Sequence, residues 1–208
     1  MAKRSSSKAT DLLEKRLQFY IGDFIRQNRA AKIMAQGLQV FGVGFWPVVD
    51  HLTLRTFNVD ERAREFLAFG YTYDSKLGVL EYENWFAKVY RKPGYPALFI
   101  DQAFPGERGK GSLIPDWVKA FGDKTLHHVA VHVGDIEKSI VSLKKKGVKF
   151  AGDIAGERGT DLRQIFTQPE MKKGKAFSVV ELTERHRGFD GFSPLQADKL
   201  MQSTKISF

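Results

Sequence analysis

The stretch "DHLTLRTF", residues 50–57, sets a histidine and an arginine four positions apart among strand-forming apolar residues. Side chains alternate along an extended strand, so His51, Thr53 and Arg55 share one face while Asp50, Leu52 and Leu54 share the other. A second stretch, "HHVAVHV" at 127–133, repeats the pattern. There His128, Ala130 and His132 share a face opposite three valines, and strict alternation sends His127 to the valine side. His128 is the counterpart of His51, and His132 takes the place of Arg55. In "AFSVVELTER" (176–185) Glu181 falls in line with Phe177, Val179 and Thr183. A carboxylate inside such an apolar strand is costly unless it is paired or bound to metal. Asp101, in "ALFIDQAF", is expected at the matching position of the first half and is a candidate fourth donor.

Two imidazoles and one carboxylate, with other coordination positions open, suit a non-haem Fe(II) that activates oxygen, although Zn, Mn or Ni fit the same donors. The open positions permit a 2-oxo acid to chelate the ion while O2 takes the remaining place. Arg55 cannot bind metal. Its planar, fixed charge suits a carboxylate, either a neighbouring Asp or a substrate, and a cavity-facing position favours substrate.

These residues need strands to carry them, and from residue 46 the chain reads twice through one order of elements. A strand around 47–57, a helix in "NVDERAREFLAFG" and strands in "KLGVLEYENWFAKVYR" and "YPALFIDQAF" come first. A strand in "TLHHVAVHVGD", a helix in "IEKSIVSLKKKG" and strands in "VKFAG", "DLRQIFTQP" and "AFSVVELTER" follow. Two tandem βαβββ units of an α+β fold describe this order, as curved half-sheets facing one another across a cavity with helices outside. The segment between them, "PGERGKGSLIPDWVKAFGDK", lacks the spacing of a phosphate-binding loop and reads as a linker. Ahead of the repeat, residues 1–9 read as a disordered basic tail. Residues 10–45 read as a helical extension, one long amphipathic helix or a pair, with Thr10 or Asp11 capping its start and Gly37 ending it.

With 208 residues and 42% hydrophobic content the chain can bury a sizeable core, which excludes wholesale disorder. No apolar run is long enough to span a bilayer and no signal core opens the sequence, so a cytoplasmic protein without a membrane partner is expected. The absence of cysteine excludes disulfides and thiolate metal sites. A net charge of +9 invites nucleic acid, but the basic clusters sit at element ends, with no helix-turn-helix, zinc finger or RNA-binding signature, so none is expected as a partner. An anionic small molecule fits the same bias.

The paired strands and the terminal "VVEL" resemble the vicinal oxygen chelate superfamily of glyoxalases and extradiol dioxygenases. More narrowly, "DHLTLRTF", "FLAFGYTY", "ENWFAKVYRKPGYPALFIDQAF", "DLRQIFTQ" and "GFDGFSPLQADKLMQST" together resemble the 2-oxoadipate dioxygenase/decarboxylase family. "RQIFTQP" and "VVELTER" are also similar to the C-terminal half of 4-hydroxyphenylpyruvate dioxygenase. The resemblance covers residues 46–204 and implies a glyoxalase-like half-barrel over 46–208 that holds Fe(II) on His51, His128 and Glu181. It further implies an enzyme that decarboxylates a 2-oxo acid such as 2-oxoadipate with O2, yielding a 2-hydroxy acid, with Arg55 on the far carboxylate. Gln164, on the face of Phe166, and Ser193, in a C-terminal segment closing the cavity, become substrate contacts, and His132 a polar wall residue. A redox-silent isomerase, lyase or hydrolase, or a non-catalytic small-molecule-binding protein, are the other functions this pattern allows.

Overall fold

The structure, a computed structural model, describes residues 8–204. Its first two elements are helices, α1 (Lys8–Gln27) and α2 (Arg29–Gln39). The extension is therefore a pair, and the break has a single cause in Asn28. Its backbone is extended, its Oδ1 accepts from the Ala31 amide at 3.0 Å, and its Nδ2 donates to the carbonyl and hydroxyl of Ser178. A side-chain acceptor at that position starts a new helix, and the two outward bonds bind the break to the sheet. Because α1 begins at Lys8, Thr10 and Asp11 lie inside its first turn and not before it. The expected basic tail lies outside the described residues up to position 7. Gly37 does not end α2: Leu38 beyond it still packs on the core, and the helix runs two residues further, to Gln39.

Strand β1 (Val49–Arg55) leads through α3 (Val59–Leu67) to β2 (Thr72–Tyr73), β3 (Val79–Glu81), β4 (Trp85–Arg91) and β5 (Ala97–Ala103). After helix α4 (Ile114–Phe121) come β6 (Leu126–His132), α5 (Ile136–Lys145), β7 (Phe150–Ala155), β8 (Leu162–Thr167), β9 (Glu170–Lys172), β10 (Lys175–Arg185) and α6 (Pro194–Ser203). The fold is α+β with an open multi-stranded sheet. The segment expected as a plain linker thus contains α4. In that linker a Cβ on Gly109 would run into the Phe104 carbonyl, so this glycine serves a tight turn and not a phosphate.

The two units do not form separate half-sheets. They join edge to edge in one sheet of order β2-β4-β5-β1-β6-β10-β8-β7, with β3 on β4 and β9 on β10. Each unit has the same inner wiring, β1 parallel to β5 and β6 parallel to β10, and the seam is the antiparallel β1–β6 pair. His51 and His128 therefore lie on adjacent central strands.

One sheet face carries Leu52, Leu54, Leu98, Ile100, Val129, Val131, Val180 and Leu182, packed against α1, α3 and α5 through residues such as Leu13, Leu17, Tyr20, Phe66 and Ile136. Leu13, Leu17, Tyr20 and Phe24 recur at one-turn spacing, which lays one stripe of α1 on the core. Each fully buried leucine contributes about 1.5–3 kcal/mol. The opposite face is covered by α4 and α6: Ile114, Trp117 and Val118 with Met201 pack on Ala87, Val89, Phe99 and Phe177, and Leu200 packs on Phe166 and Val179. Among the described residues no helix is long and apolar enough to cross a membrane.

Candidate metal centre

Register brings the inward side chains of five strands together. His51 pairs with Ala97, Thr53 with Phe99 and with His128, and Glu181 with Ala130 and Phe166. The result is a buried cluster in which His128 Nε2 lies 3.4 Å from His51 Nε2 and 3.4 Å from Glu181 Oε2, while His51 Nε2 lies 3.5 Å from that oxygen. Three donors about 2.0–2.2 Å from one cation have such separations, so the trio fits a divalent ion. All three residues are buried, at 2%, 8% and 2% exposure for His51, His128 and Glu181.

Each donor has a neighbour fixing its orientation, the arrangement that tunes metal ligands. His51 Nδ1 is 2.7 Å from Asp50 Oδ1, and Arg185 clamps that carboxylate with Nε at 2.7 Å and Nη2 at 2.9 Å. Glu181 Oε1 accepts from Gln164 Nε2 and, at 2.6 Å, from the Thr183 hydroxyl, which leaves Oε2 for an ion. His128 Nδ1 is 3.0 Å from Nδ1 of His127. For His128 to offer Nε2 to a metal, its Nδ1–H must donate to His127, whose own proton then sits on Nε2. Thr53 Oγ1 lies 2.7 Å from His128 Nε2.

His127 is a correction to the alternation rule. Between the pairs Thr53–His128 and Leu54–Leu126 the β1–β6 ladder slips by one residue, a β-bulge with His127 as the extra residue. The bulge brings His127 beside His128, buried, against Trp117. The signal in the sequence is the doublet itself, since strict alternation would leave one of two adjacent histidines on the apolar face.

Charge is distributed unevenly over the cluster. Burial works against the imidazolium of His51, yet the Glu181 and Asp50 carboxylates outweigh it and raise its pKa to about 9. Burial drives His128 down to about 3, with His51 and Arg55 adding to the effect against the pull of Glu181. Burial pushes Glu181 upward, but His51, His128 and Thr183 bring it below the usual carboxylate range. Burial also keeps His127 neutral, well below the ordinary histidine value.

The other expected site residues divide. Gln164 and Ser193 both line the metal cavity, but the Gln164 amide is committed to Glu181. Ser193 precedes α6 with no capping bond from its hydroxyl. His132 is not in the site. It lies exposed at the end of β6, in a surface dent with Trp46, Asp50 and Tyr95. The cause is the antiparallel seam: continuing β6 past Val131 leads beyond Val49, away from the end of β1 that carries Arg55. Asp101 lines the cavity outside the donor trio. Ala97 opposite His51 corresponds to Val179 opposite His128, so Phe99 matches Glu181 and Asp101 matches Thr183, one pleat further along. Burial raises Asp101 to about 7 despite Arg55 and His51. Arg55 is buried beside it with Nη2 donating to Met201 Sδ at 2.9 Å and the guanidinium 5.6 Å from the Trp117 ring centre. Asp50, Arg185, Thr183 and Met201 contact the site residues through pairings that no local pattern in the sequence indicates.

No protein-family model and no curated protein sequence matches this chain. Solved structures do. Hydroxyglutarate synthase from Oryza sativa, in complex with 2-oxoadipate, superposes with a TM-score of 0.72 over 96% of this chain and 94% of its own, at 17% identity. A Shewanella frigidimarina protein assigned as a hydrolase gives 0.70 over 91% and 99%, at 19% identity. A Ralstonia eutropha protein assigned to the glyoxalase superfamily gives 0.66 over 92% and 89%, at 12% identity. At these identities the likeness establishes the fold alone, which is glyoxalase-like.

Proposed function

We propose that the protein is a non-haem Fe(II) dioxygenase that decarboxylates a 2-oxo acid and leaves a 2-hydroxy acid one carbon shorter. The single observation carrying this reading is the convergence of two imidazole nitrogens and one carboxylate oxygen within 3.5 Å of one another at the wall of a small cavity. Three protein donors leave coordination positions for both a 2-oxo acid and O2. The likeness to a hydroxyglutarate synthase that binds 2-oxoadipate supports the same choice. Bound there, ferrous iron supplies the electrons that activate O2 and the Lewis acidity that holds the oxo acid. The balance for 2-oxoadipate is one O2 consumed and one CO2 released. One oxygen atom completes the new carboxylate and the other the adjacent hydroxyl.

The chain's own residues contribute position and dryness. Asp50, with Arg185 behind it, fixes the imidazole of His51; Gln164 and Thr183 fix Glu181; and His127 fixes His128. The rings of Phe99 and Phe192 pack on His51, and Phe166 packs on His128, which excludes bulk water from the reacting atoms. Arg55 is the cation for the far carboxylate.

Anaerobic loading with Fe(II), followed by O2 and 2-oxoadipate, should give CO2 release matched one to one by O2 uptake. Arg55→Ala should lower kcat/KM by about 30-fold or more, as loss of a buried charge partner costs about 2–5 kcal/mol, with metal content retained. No turnover of any 2-oxo acid by iron-loaded protein refutes the reading. The likeness to the hydrolase-assigned protein favours one other possibility, a redox-silent metalloenzyme using the ion as a Lewis acid. Activity with Zn or Ni in the absence of O2 identifies it.

A further inference from the structure

Helix α2 ends on two large apolar side chains that the rest of the described structure leaves in solvent: Val40 is 80% exposed and Phe41 81%. They do not hang on a loose loop. The Gly42 amide donates to the Gln39 carbonyl at 2.9 Å and the Val43 amide to the Leu38 carbonyl at 3.1 Å, with Gly42 at a φ of 69°. This is the glycine-dependent turn that closes a helix end. It holds Val40 and Phe41 outward in a fixed place, with exposed Val43 next along the chain.

The surface around this tip is basic. The Lys146 ammonium lies 3.2 Å from the point a Cβ of Gly37 would take, so it rests on the α2 face that Val40 and Phe41 continue three and four residues on. Arg29 Nη2 lies 3.4 Å from the corresponding point of Gly147, which sets the C-terminal turn of α5 alongside α2. That turn carries Lys144, Lys145 and Lys146, all exposed, with exposed Lys149 beyond, and α2 adds exposed Arg29 and Lys32. Val141, 54% exposed, shares the face of Lys144 and Lys145. Lysines at a helix C-terminus are ordinary, since they complement its dipole. What sets these apart is the lack of counter-ions. Among the described residues none of the six basic side chains forms an ion pair, because the α5 carboxylates Asp135 and Glu137 stand at the other end of the helix with Lys138, Arg158 and Arg163. Glu170 reaches the start of α2, where its Oε1 accepts from the Arg29 amide at 2.7 Å.

We propose that the tip of α2 and the C-terminal turn of α5 dock the protein on a bilayer of anionic phospholipid. Headgroup phosphates meet the ammonium groups, which reach outward on their long stems, while Val40 and Phe41 enter the boundary of the acyl chains. The net charge of +9 adds a long-range attraction to such a surface. A second copy of this chain is a poor occupant, because a two-fold contact through the patch sets six cations against six. The contact is peripheral and needs no spanning helix, so it replaces the expectation of no membrane partner, which rested on the lack of a spanning segment. It is independent of the chemistry at the metal centre.

The test sediments the full chain with vesicles of phosphatidylcholine alone and of phosphatidylcholine mixed with phosphatidylserine. Binding should be confined to the mixed vesicles and should weaken about tenfold or more on going from about 0.1 M to 1 M salt. Lys145→Ala and Lys146→Ala should each weaken it about fivefold, the contribution of one lysine near such a surface. Phe41→Ser should weaken it about tenfold and leave the thermal midpoint in place, since this side chain touches little of the fold. In Phe41→Trp the mixed vesicles should shift the emission to the blue relative to wild type, whose three tryptophans supply the background. Equal binding to both kinds of vesicle, binding to neither, or binding unchanged by Phe41→Ser or by the lysine substitutions overturns the proposal. A concentration-dependent dimer abolished by Phe41→Ser assigns the patch to a second copy, and single-stranded RNA bound through these residues more tightly than the mixed vesicles assigns it to nucleic acid; either result also overturns it.

Discussion

Titrating the metal-free protein with Ni(II) or Co(II) at pH 6, 7 and 8 measures how many protons the three donors hold before an ion arrives. Glu181 and His128 are both bare across this range, the first below the usual carboxylate range and the second at about 3. His51 is protonated, because burial is overcome by Glu181 and Asp50, which raise it to about 9. An entering cation must therefore displace one proton, and below pH 9 its affinity should rise tenfold per pH unit. From pH 6 to 8 that is about 100-fold, or ~2.7 kcal/mol at about 1.36 kcal/mol per unit. Calorimetry in two buffers of different ionisation enthalpy should count one proton released per ion at pH 7. Asp50→Asn extends the argument. It removes one of the two carboxylates that charge His51, and the new amide has one acceptor oxygen where His51 Nδ1 and Arg185 Nη2 now share Oδ1 and Arg185 Nε takes Oδ2, so at least one of these bonds is lost. The pH slope should flatten, and affinity at pH 8 should fall about 10- to 100-fold, as for other partners of metal-binding histidines. An affinity independent of pH, or no proton released at pH 7, refutes the charge distribution derived for this site.

Two stability measurements follow from buried polar groups. Asp101 is raised from 3.8 to about 7 by burial, so its contribution to stability is full below pH 3.8 and lost as pH rises through 7, on the order of 4 kcal/mol in all. His128 and His127, held neutral by burial, give stability of the opposite slope over the same range. The Asp101 contribution is therefore read in urea unfolding of the metal-free protein as the difference between wild type and Asp101→Asn, which should fall between pH 4 and 7; an equal slope in the two proteins contradicts the assignment. Asn28→Ala removes the α2 cap and leaves the Ser178 hydroxyl without its side-chain partner, which should cost about 2–3 kcal/mol in urea midpoint at constant m-value. A loss below about 0.5 kcal/mol would mean that the helix pair does not depend on this residue.

The doubled order of elements and the shared face of His51, His128 and Glu181 were legible because each rests on a local period, and the glyoxalase-like fold was legible through the resemblance of the motifs to a known family. Alternation names the face of a strand, and the repeat names the partner strand. Where the expectations failed, a local period met a non-local fact. His127 breaks alternation because of a bulge whose existence depends on the pairing of β1 with β6. His132 and Arg55 occupy matching places in sequence and opposite ends in space, because the seam between the units is antiparallel. Asp101 misses the donor cluster by one pleat, an offset that only the register of β5 against β1 defines.

What the sequence determined, then, is which side chains a strand presents together, since that follows from bond geometry over a few residues. What the tertiary structure alone decided is which of those side chains meet across strands, and what closes over them. Asp50 and Arg185 are 135 residues apart, and Arg55 and Met201 are 146 apart; no local period connects either pair. The first fixes the imidazole of His51, and the second holds Arg55 against the cap of the metal cavity. The first exists because the sheet order sets β10 one strand away from β1 across β6, and the second because α6 packs on the inner sheet face.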